Sequence, residues 1–516
     1  MGSFGQEVDE IWPSLEGSFE TLNDFGRKLL KQCKSVEKPD NNETNVDVQE
    51  FIGTSREFPL KFGVNSCRVT SQPMARHGHI AKQIASVYPI IHERTLVLYL
   101  NYLEHKCQWG NEVELPIYQS LSLCGFIQRL LEKRCASFFA RNDKYLLLTG
   151  ETGASGFEPI GSLQEKAPLK LEHVLSYDEI KMSALLSVSS HTEFINEGER
   201  ANCGRIQRDR RLLEPEGVIM GLIGARLTRR NLMEFQEIVI ARSQNTSEAG
   251  YGLDLAKPVE TRAQSYRRLW RQFYETRDFQ HGEVSIDNQR FGVSKNKQDV
   301  FDNLVMKRRY AISFDTLLLE AQARAKAMDK LAYIHVVGFG LGVWRANAQQ
   351  EQIFLETFEQ RIRELGRRLS HIGIVHFSWF HLNRCGGLHN GAILKIPKHP
   401  AEGIRILISK RNPAQKLSLP EHENMLLFVT YAWDGNALPG NEFWMNLLKS
   451  TGDSSTACHT LITELHNPHI NRVYCNGHNL HIASPTMGVL HIADYAKRVL
   501  HKSKKINKDR KDKDKE

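Results

Sequence analysis

The feature that most constrains this chain is a strand–helix–strand pattern in its third quarter. An apolar run, Tyr333-Ile334-His335-Val336-Val337, leads into a helical stretch. That stretch sets Phe354, Phe358, Ile362, Leu365 and Leu369 on one face and Arg361, Arg363 and Arg368 off it. A second apolar run, Ile372 to Phe377, follows. Strands that are apolar at nearly every position are buried on both faces. Two of them joined by a helix therefore predict a parallel βαβ unit. Further strands are expected at Val218–Gly224, Ile238–Ala241, Ile404–Ser409 and Leu426–Tyr431, and Ser313 is expected to cap an alanine-rich helix ending near Lys330. The fold class that follows is α/β.

Upstream the pattern differs. Residues 1–55 are polar and weakly patterned, with a linker around Lys38–Asn42, and are expected to be poorly ordered. Residues 56–170 read as mainly helical, because Ile80, Ile84, Val87 and Ile91, and later Phe126, Leu130 and Leu131, recur at helical spacing. The last fifteen residues carry eight basic and four acidic side chains, which supply +4 of the net +8. Such a run buries no core, so residues 501–516 are expected to form a disordered Lys-rich tail, a solubilising segment or a nuclear-import signal. The remaining charge is too small to argue for nucleic acid. No run is apolar enough for a membrane helix, and the start has no secretory pattern. Nine cysteines without a Cys-x-x-Cys pair fit reduced thiols in the cytoplasm. The His466/His469 and His478/His481 pairs lack the acid and third ligand of a zinc helix, so neither a metal nor a cofactor is expected.

Chemistry in open parallel sheets gathers on loops beyond the carboxyl ends of strands. One such loop is Gly338-Phe339-Gly340-Leu341-Gly342-Val343-Trp344, where glycines let a backbone approach an anionic ligand; a tight packing turn is the plainer reading. A second, from Tyr431 to Trp444, carries Asp434, Asn436, Gly440, Asn441 and Glu442 between two tryptophans. For Asp434 a functional role outweighs an Asx turn, and for Glu442 the two readings are even. Asp453, before Ser454-Ser455-Thr456-Ala457, reads on spacing as a helix cap. A third loop offers Asn196 for ribose hydroxyls and Arg200 for phosphate, with a polar surface turn as an equal reading.

Five ordered blocks carry a resemblance. They are Tyr177-Asp178-Glu179-Ile180 with Ser183-Ala184-Leu185-Leu186; Phe194-Ile195-Asn196-x-Gly198-x-Arg200-x-Asn202; His335-Val336-Val337-Gly338-x-Gly340-x-Gly342-Val343-Trp344; Trp433-Asp434-Gly435-Asn436 with Pro439-Gly440-Asn441-Glu442; and Glu464-Leu465-His466-Asn467-Pro468. Together, over roughly residues 170–490, they resemble the MavL-like family of macrodomain-related ADP-ribosyl hydrolases, distantly similar to poly(ADP-ribose) glycohydrolases. The resemblance implies a three-layer α/β/α mixed-sheet domain over 171–500 that binds ADP-ribose. It also implies an acidic cluster of Asp434, Glu442 and Asp453, and removal of ADP-ribose from a modified protein, of which ubiquitin is one. Gly338, Gly340, Gly342, Gly440 and Asn441 are assigned to the diphosphate, and Asn436, Asn196 and Arg200 to other parts of the ligand. A non-catalytic reader of ADP-ribose or of ADP-ribosylated protein is the alternative.

Overall fold

The computed structural model describes residues 11–12, 14, 22–40, 46–253, 257–287, 289–450 and 452–501. Ten strands form its main sheet: β1 (Tyr88–His92), β2 (Ser187–Glu193), β3 (Glu216–Leu222), β4 (Ala332–Val336), β5 (Ile372–Ser378), β6 (Ile393–Lys395), β7 (Gly403–Ser409), β8 (Leu426–Ala432), β9 (His481–Ser484) and β10 (Gly488–His491). Their order across the sheet is β6-β7-β5-β4-β8-β3-β2-β1-β9-β10. The five strands from β7 to β3 are parallel neighbours, whereas β6, β2 and β10 run against their neighbours. Every residue of β4 and β5 is buried, as their unbroken apolar runs require of strands covered on both faces.

Helix α5 (Asn303–Ala327) crosses this sheet, following α1 (Asp24–Gln32), α2 (Val48–Arg56), α3 (Glu93–Trp109) and α4 (Tyr177–Ser183) in the chain. It is buried on nearly every side, so its charges must be paired. Asp315 holds Arg361 of α6 (Gln350–Leu365) through two bonds of 2.7 Å, and Glu320 holds Arg324 at 2.7 Å. Phe314 packs edge-on against Phe354 and tilted against Phe358 of α6, fixing the two helices together.

Four sequence expectations are corrected. Ser313 lies in mid-helix, because Asp302 caps α5 eleven residues earlier by accepting from Leu304 and Val305 N–H. Residues 238–241 give only a two-residue strand, Val239–Ile240, which pairs with Val300–Asp302 in a separate small sheet. In the N-terminal stretch, Leu29, Leu30, Phe51 and Ile52 of α1 and α2 are buried in the main core. The region read as helical also supplies β1, which lies between β2 and β9, so the sheet runs across the expected boundary at residue 170. The Lys-rich tail, residues 502–516, lies outside the described residues. Among those described, no helix is long and apolar enough to cross a membrane.

Removing Asp315 leaves the Arg361 guanidinium, 1 % exposed in its side chain, without its main counter-ion. Asp315→Ala is therefore expected to lower unfolding free energy in a denaturant titration by roughly 3 kcal/mol, the cost of stranding one partner of a buried pair. A change below about 1 kcal/mol would show that Glu364, which also contacts Arg361, suffices alone.

Candidate active site

Because β4, β8 and β3 are adjacent and parallel, the loops leaving their carboxyl ends converge at one edge. These are residues 337–349, 433–440 and 223–234. The first and third touch backbone to backbone: a Cβ placed on Gly224 would lie 2.3 Å from Gly340 Cα, and Gly340 itself has φ +76°. Both positions exclude a side chain, one by space and the other also by conformation. Gly342, in contrast, faces open space. Among the described residues the N–H groups of Gly340 and Gly342 meet no protein acceptor. The helix expected directly after this loop begins only at Gln350.

The β8 loop is pinned at its base. Trp433 Nε1 donates to Ala437 O at 3.1 Å, and Leu438 N–H donates to Cys135 O at 2.9 Å. Half-buried Asp434 is thereby held at the strand end, where Asn441 Nδ2 reaches it at 3.4 Å. Asn436, its amide turned to suit both neighbours, donates to Asp434 and accepts from Arg226 Nη1 at 3.1 Å. Gly440 (φ +81°) turns the chain into the short helix α7 (Asn441–Trp444), which carries Glu442 in its first turn. A Cβ on Gly440 would strike Ala457 of α8 (Gly452–Ala457) at 2.5 Å, so this turn too requires glycine.

Asp453 corrects two expectations. It does not cap its own helix. Its carboxylate instead accepts from Gly440 N–H at 3.0 Å and from Asn441 N–H at 2.9 Å, capping α7 from across the site. The Gly440 and Asn441 amides assigned to the diphosphate are therefore taken by protein. Asn441 also uses its side chain structurally, accepting from Phe138 N–H at 2.8 Å.

The charge of Glu442 acts on both aspartates. Burial, and then the charges of Glu442 and Asp143, push Asp434 up to about 7 against the pull of Arg226 and the Asn436 N–H. Burial and the charges of Glu442 and Asp434 likewise hold Asp453 well above the usual carboxylate range, despite its two N–H donors. Such a cluster shares its protons as a unit, and Asp434 is poised to exchange one near neutrality.

Gly338, Gly340, Gly342, Asp434, Asn436, Gly440, Asn441, Glu442 and Asp453 thus lie on the converging loops and the two short helices behind them. Asn196 and Arg200 do not. Antiparallel β2 delivers their loop to the opposite edge of the sheet. There Asn196 is saturated by Asn202 Oδ1, Arg205 O, Cys458 O and Gly198 N–H, and exposed Arg200 donates to Ser450 O. Together with Asn202, which donates to Ser455 O, this loop braces α8.

Arg226 and Asp143 were not visible as site residues in the sequence. Arg226 is 4 % exposed; its guanidinium pairs with Asp143 and lies 4.9 Å from the Phe138 ring and 6.0 Å from Trp344. Only the adjacency of β3 and β8 puts it beside Asp434. Among the described residues no group of three or more His, Cys, Asp or Glu is arranged to hold a metal ion.

Glycine-rich loops gathered at the carboxyl edge of a parallel sheet, beside a carboxylate whose proton exchanges near pH 7, are the arrangement of an α/β enzyme. The sequence model of the "ADP-ribosylhydrolase MavL-like" family matches residues 49–498, and the chain belongs to this family of hydrolases. Two relatives from Drosophila melanogaster are similar over nearly their full length. ADP-ribosylarginine hydrolase CG2909 is 68 % identical over 500 residues, covering 97 % of this chain and 99 % of its own. ADP-ribosylarginine hydrolase CG3568 is 54 % identical over 494 residues, covering 95 % of each.

The charges around Asp434 give opposed expectations for pH dependence if its carboxylate is the working form. Arg226→Gln removes a cation that favours the ionised state, so the acid limb of kcat/KM is expected to move up by roughly 1–2 pH units. Asp143→Asn removes an anion that disfavours it, so the limb is expected to move down. A pH–rate profile of both variants measures this, and shifts of the same sign would separate Asp434 from the limb.

Proposed function

We propose that this enzyme hydrolyses the N-glycosidic bond between ADP-ribose and an arginine side chain, in a macrodomain-like crevice. The observation that carries the reading is the cluster of half-buried Asp434 with buried Glu442 and Asp453 beside a glycine loop whose Gly340 and Gly342 amides meet no protein acceptor among the described residues. The names of the two relatives support the arginine linkage.

An anionic cluster suits this substrate. The bond joins the anomeric carbon to a guanidinium, whose positive charge the carboxylates attract before reaction. As the C–N bond breaks, its electron pair goes to nitrogen and the ribose takes on oxocarbenium character, which the same carboxylates stabilise. A water oxygen bonds to the anomeric carbon and gives a proton to Asp434. Asp434 passes that proton on, directly or through Glu442, to the departing nitrogen, so guanidinium re-forms and the carboxylates return to their starting state. That nitrogen is strongly basic, so its protonation is easy; the greater demands are stabilising the cation and activating water. Asp453, held by two backbone amides, is the fixed member of the cluster, which leaves proton transfer to Asp434 and Glu442. The open amides of Gly340 and Gly342 receive the diphosphate. All nine cysteines are free, in keeping with a reducing, cytoplasmic setting.

The test is release of ADP-ribose from arginine-modified and from glutamate-modified peptides. Turnover of the first alone is expected; turnover of the second alone would sink the arginine assignment. Asp434→Asn is expected to cut the rate by roughly two to four orders of magnitude while melting temperature holds. Asp453→Asn is expected to lower both, since it disturbs the cap on α7. Gly342→Trp, entering open space, is expected to weaken ADP-ribose binding in calorimetry without unfolding. Gly340 is a poor site for that experiment, because its φ and its contact with Gly224 couple any side chain to folding.

A further inference from the structure

A cavity of about 440 Å³ shares no lining residue with the glycine loop; Glu132, Arg134, Leu147, Leu148, Glu151, Pro168 and Val174 are among those that line it. Arg134 is its unusual member. The residue is only 3 % exposed, and among the described residues no carboxylate forms an ion pair with it. Its protein contacts are one bond of 3.3 Å from Nη2 to Ser183 O and the face of the Trp433 ring, 4.3 Å from the guanidinium centre. Its Nε meets no acceptor. Other buried arginines are better satisfied: Arg129 pairs with Glu179, Arg309 with Glu234, Arg361 with Asp315 and Arg324 with Glu320, and Arg308, which also lacks a carboxylate, donates to the three backbone carbonyls of Ile11, Tyr274 and Glu275. A buried guanidinium without a counter-ion costs several kcal/mol, and burial pulls the Arg134 pKa down to about 10.

We propose that this cavity is a binding site for a monoanionic organic acid, whose carboxylate pairs with Arg134 and whose apolar body lies against Leu147, Leu148, Pro168 and Val174. The cation explains the carboxylate, and the aliphatic wall explains the organic body. The two acidic lining residues set the charge. Glu132 accepts from Gln128 and Glu151 from Thr149, so both stay in place as fixed negative charges that disfavour a dianion. A single carboxylate satisfies Arg134 without adding a second charge against them. The site is separate from the crevice that receives ADP-ribose, but it reaches the same loop, since Arg134 stacks on the residue before Asp434.

Benzoate and inorganic phosphate serve as probes in thermal melts and calorimetry of the full chain, with and without saturating ADP-ribose. Benzoate is expected to raise the melting temperature and to bind whether or not ADP-ribose is present, with phosphate at least tenfold weaker. Arg134→Met is expected to keep or raise the melting temperature without anion, because it removes an uncompensated buried charge, and to abolish the benzoate effect. Leu148→Trp, which fills the cavity and leaves the charge, is expected to abolish it too. The proposal fails if Arg134→Met melts well below the wild type, which would make the arginine a structural strut. It also fails if benzoate stabilises Arg134→Met equally, if millimolar benzoate leaves the wild type unmoved, or if ADP-ribose displaces benzoate.

Discussion

The parallel pairing of β8 with β4 on one side and β3 on the other governs the active site. Strand direction decides which edge a loop leaves from, so three segments distant in sequence must emerge side by side. Once there, their backbones come within contact distance at Gly224 and Gly340, and no side chain could be accommodated between them. Arg226 is carried to Asp434 by this arrangement. So is the glycine loop, in which Gly340 packs against Gly224 while Gly342 faces open space.

Within that frame the carboxylates are arranged unequally. Asp453 spends both oxygens on the first two amides of α7 and so fixes the helix bearing Glu442. Asp434 accepts from the side-chain amides of Asn436 and Asn441 and lies beside Arg226, and burial brings its proton exchange near neutral pH. Chemically similar residues thus divide into one that holds a helix and one whose proton exchanges near neutrality, and the division follows from what each accepts.

The sheet was legible where burial left a strong signal. Unbroken apolar runs located β3, β4, β5, β7 and β8 to within two residues at either end, because strands covered on both faces tolerate little else. The strand Tyr88–His92 was not legible: between helical segments, five apolar-rich residues read as a continuation of the helix. Ser313 misled because a buried helix can hold a serine mid-length, while its true cap, Asp302, sat inside a short strand. In the site, Asp434 and the glycine loop stood out by composition and position. Asn196 and Arg200 looked equally apt, yet the direction of β2, which local sequence does not encode, put them at the other edge. Arg226 and Asp143 had no local signal, because their role exists only through neighbours across the sheet.

The pairing of β1 with β9 joins a strand from the first fifth of the chain to one from the last tenth. During synthesis the sheet therefore stays open at β1 after the loops of the candidate site have already emerged. Until residues 481–491 leave the ribosome, β1 presents a bare edge that can recruit another nascent chain. The terminal hairpin, remote from the candidate site, is the piece that covers this edge and completes the sheet.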